Sequence, residues 1–197
     1  MNTQGVDPKR RRVLVAATTA VGVIGAGFVA VPFISSLNPS ARARAAGAPV
    51  EADISKLEPG ALMRVKWRGQ PIWVVSRTEE MLTALPTMDP RLVDPTSEVP
   101  HQPDYCKNPT RSIKPEYFVA IGICTHLGCS PTYRPEFAPE DLGEEWKGGW
   151  FCPCHGSKFD LAGRVFKGVP APTNLWIPKH RYLNDTTILV GEDAGAA

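Results

Sequence analysis

Two short stretches of the sequence combine the residue types that bind metals or form disulfides. "GICTHLGCSP" covers residues 122–131 and "FCPCHGSKFD" covers residues 151–160, and each contains two cysteines and one histidine. A cysteine and a histidine form C-x-H in the first stretch and C-x-x-H in the second, which leaves one further cysteine in each. Thiolates and imidazoles at such spacing can bind a metal, and paired thiols can form a disulfide.

Several chemistries can be compared with this spacing. Haem attachment needs C-x-x-C-H and a thioredoxin-like site needs C-x-x-C, and neither stretch contains either pattern. Zinc held by two cysteines and two histidines is chemically possible, but zinc motifs usually group the ligands by type, and two cysteines would be left unused. A [2Fe-2S] cluster with thiolates on one iron and imidazoles on the other fits the pattern better.

In this interpretation the ligands come in two pairs. One iron takes Cys124 and Cys152, and the other takes His126 and His155. Two loops that meet around one cluster also bring their remaining cysteines close together, and in an oxidising compartment these can close as a disulfide. The remaining cysteines are Cys129 and Cys154.

An apolar run near the N-terminus predicts a membrane anchor. Lys9–Arg12 are all basic, and Val13–Ile34 carry no charge. Roughly 20 such residues cross the hydrocarbon core of a bilayer, so the sequence predicts one transmembrane helix over residues 13–36. A buried core helix and a cleaved secretory signal, with a small-residue site such as Ala41–Ala43, are the alternatives.

The basic residues before this helix predict its orientation. Residues 1–12 are expected in the cytoplasm and everything after the anchor outside it. The adjacent arginines also resemble a twin-arginine export signal. Residues 37–50 contain no large apolar residue between Leu37 and Val50, and they are predicted to be a tether, either a passive spacer or a flexible hinge, before a head at residues 51–197.

The head is predicted to be mainly β, with stacked antiparallel sheets or a barrel. "ALMRVKWRG" and "PIWVVSRT" form a hairpin with a turn at Arg68–Pro71, and a short helix starts near Thr78. Pro86–Pro115 is a polar, proline-rich excursion. Further strands are predicted in "EYFVAIGI", "GGWFCP", "GRVFKGVPAP" and "TTILV". The polar stretch "EFAPEDLGEEWKGG" between the two motifs is predicted to be a surface insertion. A net charge of +2 and the lack of a basic stripe with aromatic residues argue against nucleic acid as a partner.

"CTHLGC" and "CPCHGS", in this order behind one N-terminal anchor, resemble the Rieske iron-sulfur subunits of bacterial cytochrome bc complexes. "ISKLEPGALMRVKWRGQPIWVVSRT" and "RSIKPEYFVAIGICTHLGC" extend this resemblance over most of the chain. It implies Rieske-type stacked sheets with a small cluster-binding part at about residues 118–172. It also implies one [2Fe-2S] cluster on the four ligands given above, a Cys129–Cys154 disulfide, and a proline loop at Gly168–Pro172 that covers the cluster.

The resemblance also implies a function. The family's activity is electron transfer from ubiquinol to a cytochrome c-type subunit, in an assembly with cytochrome b that we expect to be dimeric. His155 would contact the quinol and accept its proton, and the head would be periplasmic on a bacterial inner membrane. A soluble Rieske ferredoxin, the small subunit of an arsenite oxidase and a structural zinc domain are the alternatives.

Two residues near the second motif bear on the reduction potential. Ser157 resembles the family serine whose hydroxyl donates a hydrogen bond to the cluster, whereas Phe159 occupies a position at which many relatives have a hydrogen-bonding tyrosine. A phenyl ring cannot donate, so we expect a lower potential than in those relatives. Cys106 is expected to be a free surface or half-buried thiol, and His101 and His180 ordinary polar residues.

Overall fold

The computed structural model of the chain describes residue 5 and residues 7–193. Parts of the predicted segments 1–12 and 51–197 therefore lie outside the described residues. The chain divides into two compact units, one ending at Ala45 and the other beginning at Ala46.

The first unit is dominated by one long helix. Helix α1 runs over Pro8–Ser36, and none of its side chains is buried. It starts five residues before the predicted span because Asp7 caps it, accepting a hydrogen bond from the Lys9 amide at 2.9 Å, and because proline is favoured in a first helical turn. It is long and apolar enough to cross a membrane.

The predicted hinge is not uniformly extended. Helix α2 covers Ala41–Gly47, and its residues are largely exposed. Alanine and arginine are strong helix formers, which explains a helix in a segment without large apolar side chains. The first strand begins at Val50.

The second unit is mainly β, as predicted. Its described residues form the strands β1 (Val50–Asp53), β2 (Leu62–Trp67), β3 (Gln70–Ser76), β4 (Tyr117–Ile121), β5 (Thr132–Phe137), β6 (Lys147–Cys152), β7 (Ser157–Asp160), β8 (His180–Asn184) and β9 (Thr187–Val190). These strands form three antiparallel three-stranded sheets, in the orders β1-β9-β8, β2-β3-β4 and β5-β6-β7. A helix, α3 (Glu79–Met88), and two short 3-10 turns, at Asp89–Arg91 and Asp104–Cys106, lie between the strands.

The predicted hairpin and short helix are both present. β2 and β3 are joined by Arg68 and Gly69, which both have positive φ, as a tight two-residue hairpin turn requires. Pro71, which was predicted to be part of the turn, instead lies in β3 opposite Lys66. Helix α3 covers Glu79–Met88, and the Thr78 side chain caps it.

Two predictions about the later strands need correction. "GRVFKGVPAP" forms no strand of its own, since it takes part only in isolated bridges, one between Val165 and Phe159 and one between Phe166 and Leu92. The polar stretch between the two motifs is not simply a surface insertion. Its ends belong to β5 and β6, and Trp146 is buried.

A buried ion pair joins several of these segments. Arg164 and Asp160 are both almost completely buried, and their side chains lie 2.7 Å apart. The Arg164 guanidinium also donates to the Leu85 carbonyl of α3, to the Pro95 carbonyl and to the Asp89 carboxylate. One side chain therefore connects the end of β7 with α3 and with the proline-rich excursion.

We predict that Asp160→Asn destabilises the protein strongly. Removing one partner of a buried pair leaves an uncompensated charge and typically costs about 3–5 kcal/mol. Asp185→Asn is the matched control, because the Asp185 carboxylate pairs with Lys114 at 2.9 Å but is 97% exposed. Thermal unfolding of the full-length protein in detergent should show a large loss for Asp160→Asn and little change for the control; equal effects would contradict the prediction.

Candidate metal centre

The two cysteine- and histidine-containing loops have similar backbone turns. In the first loop, the Gly128 amide donates to the Cys124 carbonyl at 3.1 Å, and in the second the Gly156 amide donates to the Cys152 carbonyl at 2.9 Å. Both glycines have φ near +80°, at +84° and +78°, and a Cβ at either position would meet no atom of the described residues within 4 Å, apart from its chain neighbours. Glycine is therefore needed for the backbone conformation and not for space, and it places Cys124 and Cys152 at equivalent positions.

The four predicted ligands are brought together as an inner and an outer pair. Cys124 and Cys152 are buried at 3% and 1% exposure, and both are free thiols. Burial raises the pKa of the Cys152 thiol, and the adjacent Cys124 thiol raises it further. The His126 and His155 rings lie 4.8 Å apart and perpendicular to each other, with His155 exposed.

This arrangement fits a [2Fe-2S] cluster of the mixed-ligand type. Nδ1 of His126 is buried and has no hydrogen-bond partner among the described residues, as expected of a nitrogen that is reserved for a metal. Two thiols on the inside and two imidazoles on the outside match a cluster whose irons have different ligand types. The chemistry of the donor set therefore agrees with the cofactor.

A disulfide joins the two loops. It links Cys129 to Cys154, across a sequence separation of 25 residues. The sulfurs of this bridge and of Cys152 all lie within 4.8 Å of one another. Because the bridged sulfurs are not thiolates, Cys152 is the available ligand of the three.

The predicted proline loop and the residue that follows it are hydrogen-bonded to the two cysteine- and histidine-containing stretches. The Ala171 amide donates to the Ser157 hydroxyl at 3.1 Å, and the Thr125 hydroxyl donates to the carbonyl of Thr173, directly after the loop, at 2.7 Å. Since Ser157 accepts from Ala171, its own O–H remains available as a hydrogen-bond donor. Thr125 was not predicted from the sequence, because a lone threonine carries no signal until its partner is known.

Gly122, just before the first loop, allows the Trp73 ring to pack closely against the backbone, and this role was not predicted from the sequence. A Cβ on Gly122 would lie 2.3 Å from the Trp73 ring, so any larger residue would displace that ring. Trp73 in turn stacks on Trp150, nearly parallel, with ring centroids 5.5 Å apart. These rings belong to the apolar core that also contains Cys124 and Cys152.

The prediction for Cys106 was wrong in one respect. Cys106 is a free thiol, but it is completely buried rather than at the surface or half-buried, and burial raises its pKa to about 12. The two histidines outside the motifs are structural. His101 stacks on Trp176, and His180 is buried with its ring 2.8 Å from the Pro178 carbonyl.

Comparison with known proteins agrees with this site. Residues 96–181 match the Rieske [2Fe-2S] domain family, and residues 1–40 match the family described as the ubiquinol-cytochrome c reductase Fe-S subunit TAT signal. The ubiquinol-cytochrome c reductase iron-sulfur subunit of Allochromatium vinosum is 79% identical over all of this chain and 95% of the relative. That of Blastochloris viridis is 44% identical, covering 97% of this chain and 96% of the relative.

A solved chain from a hyperthermophilic respiratory Complex III is 26% identical, with a TM-score of 0.49, and the match covers 90% of this chain and 98% of that one. The fold and the site define a Rieske-type iron-sulfur protein that carries a [2Fe-2S] cluster. The chain belongs to the family of ubiquinol-cytochrome c reductase iron-sulfur subunits.

We predict that replacing both bridged cysteines, as Cys129→Ser with Cys154→Ser, destabilises the protein. Chain-entropy estimates for a loop of this length give about 3 kcal/mol. Thermal unfolding in detergent measures the loss, and Cys106→Ala is the control, because it removes a buried thiol without opening a bridge. A double variant no less stable than Cys106→Ala would contradict the prediction.

We also predict that Phe159→Tyr raises the reduction potential. Phe159 is completely buried and lies opposite Trp150 across the β6–β7 pair. A hydroxyl that donates to a ligand sulfur favours the reduced state, and a hydrogen bond of about 1 kcal/mol corresponds to roughly 40 mV for one electron. Redox titration of the loaded protein checks this, with Phe137→Tyr on β5 as the control. An unchanged or lowered potential would rule the idea out.

Proposed function

We propose that this chain accepts an electron and a proton from ubiquinol in a cytochrome bc complex and passes the electron to the cytochrome c-type subunit. The observation that carries the proposal is the contrast between the exposed His155 imidazole and the buried Cys124 and Cys152 thiols. An external molecule can reach the histidine side of the site and cannot reach the thiols. This is the arrangement expected of a subunit that receives its electron through a ligand imidazole.

The four ligands have distinct proposed roles. Cys124 and Cys152 would hold the inner iron, and His126 and His155 the outer one. When bound, the cluster supplies a one-electron acceptor in the range of roughly −150 to +300 mV and makes the N–H groups of its imidazoles more acidic. The Ser157 hydroxyl, which accepts from the Ala171 amide, would have its own O–H available as a hydrogen-bond donor to a cluster sulfur.

His155 is the proposed contact for the quinol. Nδ1 of the neighbouring His126 is buried and has no hydrogen-bond partner among the described residues. If His155 likewise binds the metal through its Nδ1, its Nε2 would face outward. With Nε2 deprotonated, as an imidazolate, His155 would accept a hydrogen bond from the quinol hydroxyl and then take its proton, which returns the ring to the neutral imidazole. Leu127, which is 71% exposed in the first loop, provides an apolar surface for the ring or for a partner subunit.

The remaining loops keep water away from the thiols. The Cys129–Cys154 disulfide closes one side of the site, and the proline loop, bonded to Ser157 and Thr125, closes another. Low solvent access strengthens hydrogen bonds and charge interactions around the ligands.

The same proposal includes the topology of the chain. Residues 1–12 remain in the cytoplasm, residues 13–36 anchor the chain in the bacterial inner membrane, and the head from residue 51 is periplasmic, with its cluster-binding part at about residues 118–172. The basic residues Lys9–Arg12 support this orientation. Residues 37–50 act as the hinge that lets the head reach its electron donor and its acceptor in turn. The partners are cytochrome b and a cytochrome c-type subunit, in a dimeric complex.

Electron paramagnetic resonance tests this function. We expect the typical Rieske signal after addition of ascorbate to membranes that contain the complex, and also after addition of a short-chain ubiquinol. The isolated full-length chain in detergent should respond to ascorbate but only slowly to the quinol, because it lacks the quinol site of cytochrome b. A signal that requires dithionite would indicate a ferredoxin-type role, and a protein with zinc and no iron would contradict the proposal entirely.

A further inference from the structure

Two buried arginines in the head have no direct carboxylate partner among the described residues. Arg77 is 3% exposed and donates only to uncharged oxygens. Its guanidinium is within 3.2 Å of the Pro115, Thr110 and Leu161 carbonyls and of the Ser112 hydroxyl. An unpaired charge at such a position is costly and therefore unusual.

Arg111 is even more completely enclosed. Its exposure is 0%, and it donates to the Ala162, Gly163 and Leu175 carbonyls and to the Gln102 side-chain amide oxygen. Its Nε has no partner in the part of the chain that the structure describes. A glutamate at position 102 would have supplied a counter-ion, but the sequence has a neutral amide there.

The carboxylates in direct contact with a buried guanidinium here belong to a third arginine. Arg164 contacts the Asp160 and Asp89 carboxylates. Asp160 and Glu116 interact with Arg77 through space, and Asp160 and Asp94 with Arg111, but none of them forms an ion pair with either guanidinium among the described residues. Burial lowers the pKa of both Arg77 and Arg111 to about 10, so both remain protonated at neutral pH.

These charges border the apolar core that contains the cysteine ligands. The Arg77 guanidinium lies 5.3 Å from the centre of the Phe118 ring, and Phe118 lies 5.3 Å from Trp150. Phe118, Trp150, Cys124 and Cys152 are all members of one buried cluster. Packed apolar side chains separate the guanidiniums from the ligands, so water does not screen the field between them.

We propose that Arg111, together with Arg77, raises the reduction potential of the cluster by electrostatic stabilisation of the added electron. This inference rests on the proposed function, because it needs a bound cluster. Reduction adds one negative charge to the site, and a fixed positive charge in a medium of low dielectric favours that state. At an effective dielectric constant of about 20, two unit charges of any kind still change such an equilibrium by roughly sixfold at a separation of about 15 Å.

The buried arginines and Phe159 have opposite expected effects on the reduction potential. The chain lacks a tyrosine hydroxyl at that position, which lowers the expected potential. The buried guanidiniums act in the opposite direction, and they do so without a hydrogen bond to the cluster. The potential is then set partly by residues that do not touch the ligands, which makes Arg111 a tuning residue rather than a catalytic one.

Redox titration of full-length protein in detergent, followed by electron paramagnetic resonance, tests the inference. Arg111→Gln should lower the midpoint potential, with a severalfold shift of the reduction equilibrium, whereas Arg111→Lys should restore most of it. Arg64→Gln is the matched control, because Arg64 is an exposed arginine on β2 whose charge is screened by water. An Arg111→Gln protein with an intact Rieske spectrum and an unchanged potential would overturn the inference, as would a shift no larger than that of the control.

A second pair of variants tests the same inference if Arg111→Gln does not fold. Gln102→Glu places a carboxylate at the 2.9 Å contact with Arg111 and loses the two bonds that the Gln102 amide donates to the Ser97 and Val99 carbonyls. Gln102→Leu loses these two bonds as well, together with the acceptor for Arg111, and adds no charge. We expect a lower potential for Gln102→Glu than for Gln102→Leu, and equal potentials would overturn the inference. If the unmodified protein gave no signal with ascorbate, the proposed function would fail. If the unmodified protein gave the normal signal and the variants had the same midpoint potential, only this inference would fail.

Discussion

The buried ion pair between Asp160 and Arg164 is the interaction on which the arrangement of the head depends. Asp160 ends β7, directly after the second metal-site loop, and its carboxylate also accepts hydrogen bonds from the Ala162 and Arg164 amides. Through Arg164 it fixes α3 and the proline-rich excursion against the same point. Such a pair adds little net stability over apolar packing, but breaking it is costly, so it favours one arrangement over its alternatives. The chain segment that it fixes leads directly into the proline loop over the site.

The metal site has buried thiols on one side and accessible imidazoles on the other, and the placement of the strands produces this difference. β6 pairs with both β5 and β7 in one sheet. The first loop connects β4 to β5, and the second loop connects β6 to β7. The thiols then point into the core, and the imidazoles lie at its edge. A cluster held by these residues would be insulated on the cysteine side and accessible on the histidine side, as the proposed transfer from a quinol to a haem requires.

Local sequence signals predicted a large part of this. The two motifs gave the candidate ligands, the Arg68–Gly69 turn gave the hairpin, and the charge-free run gave the anchor helix. The errors concern features that depend on distant partners. The burial of Cys106, the strand character of the ends of the polar stretch, and the missing strand after Gly163 follow from packing that no local pattern encodes. The three buried arginines were missed because an isolated arginine in a sequence is normally an exposed one.

The disulfide between the two loops has a consequence for the assembly of the site. In the bridged structure the Cys129 and Cys154 sulfurs lie within 4.8 Å of the Cys152 sulfur. A disulfide sulfur is not a thiolate, so the closed bridge withdraws two of these three sulfurs from competition for a metal. The bridge therefore selects Cys152 as the ligand in addition to joining the loops.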